Sequence, residues 1–447
     1  MSSTKNKLSE IKSGAISRGL ALAKMSISAG AKAATHTLDT IFASENERTE
    51  KLKKLILSQA KVLTKELGEL KGSLMKVGQM LSMFGEHFLP PEANAVLKSL
   101  QNQSPPLEWA AIERVLIKQL GKEKLAELEV EKEPWASASL GQVHRAKTRD
   151  GKQIALKIQY PGVDRAIDSD LKTLKSIFNV IKLIPKGAQF DNLFEEVRQM
   201  LHQEVDYERE KKYTIEMKRL VSESSLAGRC IVPDIFERYC TSRVIATSFE
   251  EGVPVDSPDV LNLSDERRNS LGLLAMEVYF HELFKWGKVQ TDPHFGNYKI
   301  RVGHSGVEDK IILLDFGAVR ELSTEFLDPY YLLVKGAVLP DRALTEKASF
   351  DLGFFEEGDS QELRTVFCEL CELITEPYKP GVYDWGKSDL PKRVAKKGAQ
   401  LAVTSKLRSP PQEVVFLDRK MGGMFILMSV LRVNVDARQL LLSYLPK

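Results

Sequence analysis

The chain is poor in cysteine: Cys230, Cys240, Cys368 and Cys371 are all that its 447 residues contain. Four scattered thiols build no disulfide framework, which suits a reducing compartment. Cys368 and Cys371 have the spacing of a metal or redox pair. They lie in the amphipathic helical pattern of Phe367-Cys-Glu-Leu-Cys-Glu-Leu-Ile374, however, and no second Cys/His pair answers them. Packed core thiols are the expectation there. Long apolar runs are missing too. No stretch reaches the roughly 18 residues that a membrane-crossing helix requires. Met421–Leu431 comes nearest, but it is short and followed by Arg432 and Asp436, so it reads as a buried helix. Charge of one sign is equally scarce. A formal charge of +3 argues against wholesale nucleic-acid binding, and no nucleic-acid partner is expected. There is no internal repeat and no long low-complexity tract. What is present, 43% hydrophobic and 28% charged residues, is the composition of a globular protein with an ample core.

The first forty residues hold only two acids, Glu10 and Asp39. Lys5, Lys7, Lys12, Arg18, Lys24 and Lys32 alternate there with Leu8, Ile11, Ile16, Leu20 and Ile27 at roughly helical spacing. Such a stretch fits an amphipathic helix on an anionic membrane surface, an organellar transit peptide or a solvated tail. From Asn46 to about Leu100 the pattern is helical, and within it lies Lys76-Val-Gly-Gln79. Taken alone, Lys76 and Gln79 read as a solvated helix face.

The stretch that organises the rest is Asp292-Pro-His-Phe-Gly-Asn297, followed by Asp315-Phe-Gly317 behind the apolar run Ile311, Ile312, Leu313, Leu314. Pro293 and Gly296 mark a loop, and the apolar run a short buried strand. Phosphoryl transfer uses a carboxylate near the attacking oxygen, with an Asn and a second Asp holding Mg²⁺ against the phosphates. The order Asp292, Asn297, strand, Asp315 supplies all three. Upstream, Ala136-Ser-Ala-Ser139 joins a small-residue loop to a strand, and Asp150-Gly151 signals a hairpin. The return strand, Gln153–Gln159, alternates, with Ile154, Leu156 and Ile158 on one side and Lys157 on the other. A lysine so placed binds the alpha and beta phosphates of a nucleotide. It needs a carboxylate partner. Leu193–Met217 reads as one helical segment, and either Glu204 or Glu210 on it is the candidate. Helices are expected over Ile112–Leu128, Leu271–Trp286, Glu325–Lys335, Asp341–Leu352, Glu362–Ile374 and Glu413–Leu442, with a linker over Pro377–Pro391. No Ala-Pro-Glu and no long activation segment follow Gly317. His294 reads as a loop histidine, and His144 and His202 have less to recommend them as catalysts.

From about Lys71 to Arg320 these motifs come in the order of the UbiB/ABC1/ADCK (AarF) atypical kinase-like family, which the chain resembles. Lys76-Val-Gly-Gln79 is similar to that family's Lys-x-Gly-Gln signature, and Ala136, Ser137, Ala138 and Ser139 to its Ala-rich loop. Glu204-Val-Asp-Tyr207 with Glu210, Lys157, Asp292, Asn297 and Asp315 complete the match. Ser137, Ser139, Leu140 and Phe295 depart modestly from the family pattern.

The resemblance implies an α+β, bilobal protein-kinase-like fold. Its parts would be an N-terminal segment (1–45), a helical extension carrying Lys76 and Gln79 (46–130), an N-lobe (131–255) and a helix-rich C-lobe (256–447). It implies ATP or ADP and Mg²⁺ as cofactors, with Asp292, Lys157 and Lys76 catalytic and Asn297 and Asp315 on the metal. Gln79, the 136–139 loop, Glu204 and Glu210 would line the nucleotide. The expected function is an ATPase or a small-molecule or lipid kinase supporting isoprenoid quinone or prenyl-lipid metabolism, with protein kinase activity in trans disfavoured. The competing class is a nucleotide-switched scaffold without catalysis. Implied partners are a membrane surface, a prenyl lipid and quinone-biosynthesis enzymes. The expected location is cytoplasmic or peripheral to a membrane, or an organellar matrix if the N-terminus is a transit peptide.

Overall fold

The computed structural model describes residues 76–78, 80, 106–137, 140–180, 188–404 and 411–445. The basic stretch 1–45, most of the helical extension, Gln79, Ala138 and Ser139 lie outside the described residues. Two compact units divide the chain. One comprises the chain up to Lys211 together with Ile235–Phe249, and the other comprises Lys212–Asp234 and Glu250–Lys447.

The first unit is built on an antiparallel sheet in the order Leu128–Val130, Gly141–Thr148, Gln153–Gln159, Val244–Ser248, with Ala136–Ser137 added to the second strand. Its central hairpin turns where Asp150-Gly151 predicts. Gly151 adopts φ 84°, a conformation open to glycine at little cost, and its amide donates to the Thr148 carbonyl at 2.9 Å. The period-2 alternation of Gln153–Gln159 also holds. Ile154, Leu156 and Ile158 are wholly buried in a cluster with Ile112 and Leu116 of the Trp109–Leu125 helix. Lys157, on the other face, is left partly exposed.

The expected single helix over Leu193–Met217 is two helices, Ala188–Glu204 and Tyr207–Ser222. The break has a local cause. Asp206 turns its side chain back on the chain and accepts from the Arg209 amide at 3.0 Å, starting a new helix rather than continuing the old one.

The second unit has a four-stranded sheet ordered Cys230–Ile231, Lys310–Leu313, Tyr298–Arg301, Val253–Pro254, and a separate ladder of Lys288–Gln290 with Val319–Glu321. The Asp265–Phe280 helix, capped by Ser264, packs Leu274 and Val278 into one core with Leu313, Phe316, Leu427 and Met428. The reading of Glu413–Leu442 as helix needs correction. Gln412–Val430 is helical, but Arg432 then takes φ 53° and Asn434–Val435 pairs with Tyr383–Asp384 before Arg438–Leu442 resumes. Val433 explains the interruption: it is completely buried against Gly272, where any side chain would collide with it. Among the described residues no helix is long and apolar enough to cross a membrane.

Candidate active site

In the first unit the structure assigns each lysine its own carboxylate. Lys157 Nζ lies 2.8 Å from both Oε1 and Oε2 of Glu210, and 5.4 Å from the centre of the Tyr207 ring. Lys76 Nζ lies 2.8 Å from Glu204 Oε1. The capped turn at Val205-Asp206 separates the two glutamates, and Gln159 anchors that turn by donating to the Val205 carbonyl at 2.8 Å. Of the small-residue loop, Ala136 and Ser137 are exposed on the short edge strand. Ser137 hydrogen-bonds Tyr160, whose hydroxyl burial pushes up to about 12.

In the second unit strand register brings the two loops together. Tyr298 pairs with Leu313, so the Leu314 amide reaches the Asn297 carbonyl at 3.0 Å. Gln290 pairs with Val319, so the Thr291 amide reaches the Ala318 carbonyl at 3.2 Å. Asp292 and Asn297 thus share one loop, and Asp315 lies on the loop stitched to it at both ends. The buried Gln290 side chain adds a third tie. Its Oε1 accepts from the Asp292 amide at 3.0 Å while its Nε2 donates to the Asp315 carbonyl.

Asn297 Nδ2 donates to Asp292 twice, to the carbonyl at 3.1 Å and to Oδ2 at 3.2 Å. With its nitrogen committed to Asp292, the amide oxygen is turned away from that carboxylate. Asp315 Oδ1 accepts from the Gly317 amide at 2.9 Å, which fixes its rotamer. An amide oxygen and a carboxylate are hard donors of the kind Mg²⁺ selects, and Mg²⁺ sites take few protein ligands because substrate phosphates supply others. Among the described residues no group of three or more His, Cys, Asp or Glu side chains is placed to hold a metal.

Two features escape sequence reasoning. Gln290 is one, and its only local signal is a polar residue ending an apolar strand. The other is Arg419, on the Gln412–Val430 helix, whose Nη2 donates to Asp292 Oδ1 at 2.7 Å. His294 and His144 make structural hydrogen bonds. His294 Nδ1 accepts from the Gly296 amide at 2.9 Å, shaping the loop. His144, wholly buried, lies between the Glu131 carbonyl at 2.7 Å and Gln142 Nε2 at 2.8 Å. That pairing makes Nδ1 the donor and Nε2 the acceptor. Cys368 and Cys371 share the Gln361–Ile374 helix, where burial pushes the Cys368 thiol up to about 11 and raises Cys371 as well.

Residues 99–349 match the ABC1 atypical kinase-like domain, more than half of the chain. The chain belongs to the ABC1 atypical kinase-like family. It is 31% identical over 394 residues to the zebrafish (Danio rerio) protein named atypical kinase COQ8B, mitochondrial, an alignment covering 87% of this chain and 61% of that one. It is 31% identical over 396 residues to the Saccharomyces cerevisiae atypical kinase COQ8, mitochondrial, covering 87% and 77% respectively. Among solved structures, the Mycobacterium tuberculosis Rv3197–erythromycin complex matches with a TM-score of 0.59 and 26% identity, over 90% of this chain and 99% of that one. The fold of this ABC1 chain is accordingly α+β and kinase-like.

Proposed function

We propose that this ABC1-family chain is a Mg²⁺-dependent, ATP-consuming enzyme that hydrolyses ATP or phosphorylates a small or lipid molecule in support of isoprenoid quinone or prenyl-lipid metabolism. The observation that carries the reading is the stitched pair of loops, in which Asn297 commits its amide nitrogen to Asp292 while Asp315 is held on the adjoining loop. A scaffold that merely bound nucleotide would have no need of a carboxylate oriented by two donors.

In this scheme Lys157, steadied by Glu210, holds the alpha and beta phosphates. Asn297 and Asp315 hold Mg²⁺, which neutralises charge on the phosphates when bound. Asp292 accepts a hydrogen bond from the attacking hydroxyl or water and aims it at the gamma phosphorus. A bond forms from that oxygen to phosphorus, the bond to the bridging oxygen breaks, and ADP departs with the charge while the proton of the nucleophile passes to solvent. Little base strength is needed for this step, so aim matters more than basicity. Lys76 adds a second cation, held by Glu204. The relatives named above are mitochondrial by name, and a matrix or membrane-peripheral location is our proposal for this chain.

Phosphate release from Mg-ATP by the purified chain, with and without anionic vesicles, beside Asp315→Asn, tests the reading. Turnover that the variant lacks supports it, and stimulation by vesicles directs the substrate search to lipids. Nucleotide binding with no release under either condition would replace it with the scaffold.

A further inference from the structure

We propose that Arg419 positions Asp292, so that the C-terminal Gln412–Val430 helix is a working part of the reaction centre and not only a prop for the fold. The proposal rests on the catalytic reading above. It starts from what the Asp292 loop lacks. Between Asp292 and Asn297 stand Pro293, His294, Phe295 and Gly296, so the loop carries no permanent cation of its own. The helix provides one. Arg419 Nη2 lies 2.7 Å from Asp292 Oδ1, while Asn297 Nδ2 lies 3.2 Å from Oδ2. One donor alone would leave the carboxylate to pivot about its side-chain bonds. One donor on each oxygen fixes both its place and the direction of its plane, and each oxygen keeps a second lone pair for a nucleophile's proton.

The helix is itself gripped at both ends of the same loop. Gly423, one turn beyond Arg419, presses on Pro293 so closely that any side chain at 423 would overlap the proline ring. Lys420, only 1% exposed, donates to the Tyr298 hydroxyl at 2.9 Å and lies 3.0 Å from Glu282 Oε2. Contacts at 419, 420 and 423 therefore meet residues 292, 298 and 293, so a shift of the helix moves the loop with it. Arg419 and Asp292 are each about one-fifth exposed, unlike a surface ion pair. A guanidinium in this place is built to aim a carboxylate, and misplacement by about 1 Å can cost about 100-fold in rate.

The test is steady-state phosphate release, with Mg-ATP affinity measured by calorimetry, for wild type, Arg419→Met, Arg419→Lys, Gly423→Ala, Asp292→Asn and the Asp292→Asn/Arg419→Met double variant. Arg419→Met is expected to lower kcat about 100-fold while the nucleotide Kd stays within about twofold. Arg419→Lys, which keeps the charge, recovers part of that loss. Gly423→Ala keeps the guanidinium but displaces Pro293, and it lowers kcat as well, while an unchanged nucleotide Kd guards against a variant that merely unfolds. Because Arg419 acts through Asp292, the double variant is no slower than Asp292→Asn alone. Unchanged or raised turnover in Arg419→Met, or losses that multiply in the double variant, overturn the positioning role while leaving the enzyme reading intact. A wild-type chain that binds nucleotide and releases no phosphate overturns the enzyme reading, and this role with it.

Discussion

Both carboxylate oxygens of Glu210 lie 2.8 Å from Lys157 Nζ, whereas Glu204, six residues earlier, takes Lys76 instead. The division follows from the broken helix. Asp206 caps a fresh start, so Glu204 ends one helix and Glu210 sits in the first turn of the next.

Replacing Glu210 by Gln should weaken Mg-ATP binding about tenfold, because the lysine proposed to meet the phosphates loses a doubly bonded, charge-assisted anchor. Glu204→Gln should cost binding less. Calorimetry on the two variants decides it, and equal losses would refute the larger role given to Lys157 at the phosphates.

The Lys420–Glu282 pair is deeply buried, with side chains 1% and 3% exposed. Burial by itself would lower the Lys420 pKa, yet Glu282 and Tyr298 outweigh it and raise it. The Glu282 carboxyl is pushed up by burial with Lys420 pulling against it, and the 3.0 Å separation favours the ionised pair. Lys420→Met should therefore destabilise the fold by about 3–5 kcal/mol by stranding a buried carboxylate. Urea unfolding should show the loss largely reversed when Glu282→Leu is added, and a deeper loss in that double variant would contradict the account.

In the first unit, in the turn before the Leu128–Val130 strand, Glu127 accepts from Arg238 Nε at 2.8 Å and from the Tyr239 hydroxyl at 3.0 Å. The Arg238 hydrogen bond holds its carboxyl down from the usual 4.5 to about 2. A depressed carboxylate stabilises the fold above its unfolded pKa and loses that contribution as pH falls through the folded one. The Tm difference between wild type and Glu127→Gln should thus be full near neutral pH and shrink between 4.5 and about 2. A difference constant across that window would show that the ion pair does not contribute.

The two loop motifs were legible because their residues lie close in sequence. Asp292 and Asn297 sit five apart on a loop punctuated by Pro293 and Gly296, and Asp315 follows directly on an apolar strand. A period of two placed Lys157 opposite Ile154, Leu156 and Ile158, since a strand cannot turn consecutive side chains to one face. Helix breaks were harder to see. Asp206 and Val433 interrupt long helical patterns for reasons that act on single residues, a side-chain cap in one case and tight packing against Gly272 in the other.

By itself, then, the sequence determined the two loop motifs and the lysine strand, because each rests on local spacing and periodicity, while the kinase-like class came from the family resemblance that those motifs carry. Only the tertiary structure decided which glutamate serves which lysine, that Gln290 ties the two loops, and that Arg419 reaches Asp292 from 127 residues away. Those choices depend on strand register and on the face a distant helix presents. Both are settled by burial of apolar surface over the whole core, and neither leaves a signature in the residues nearby.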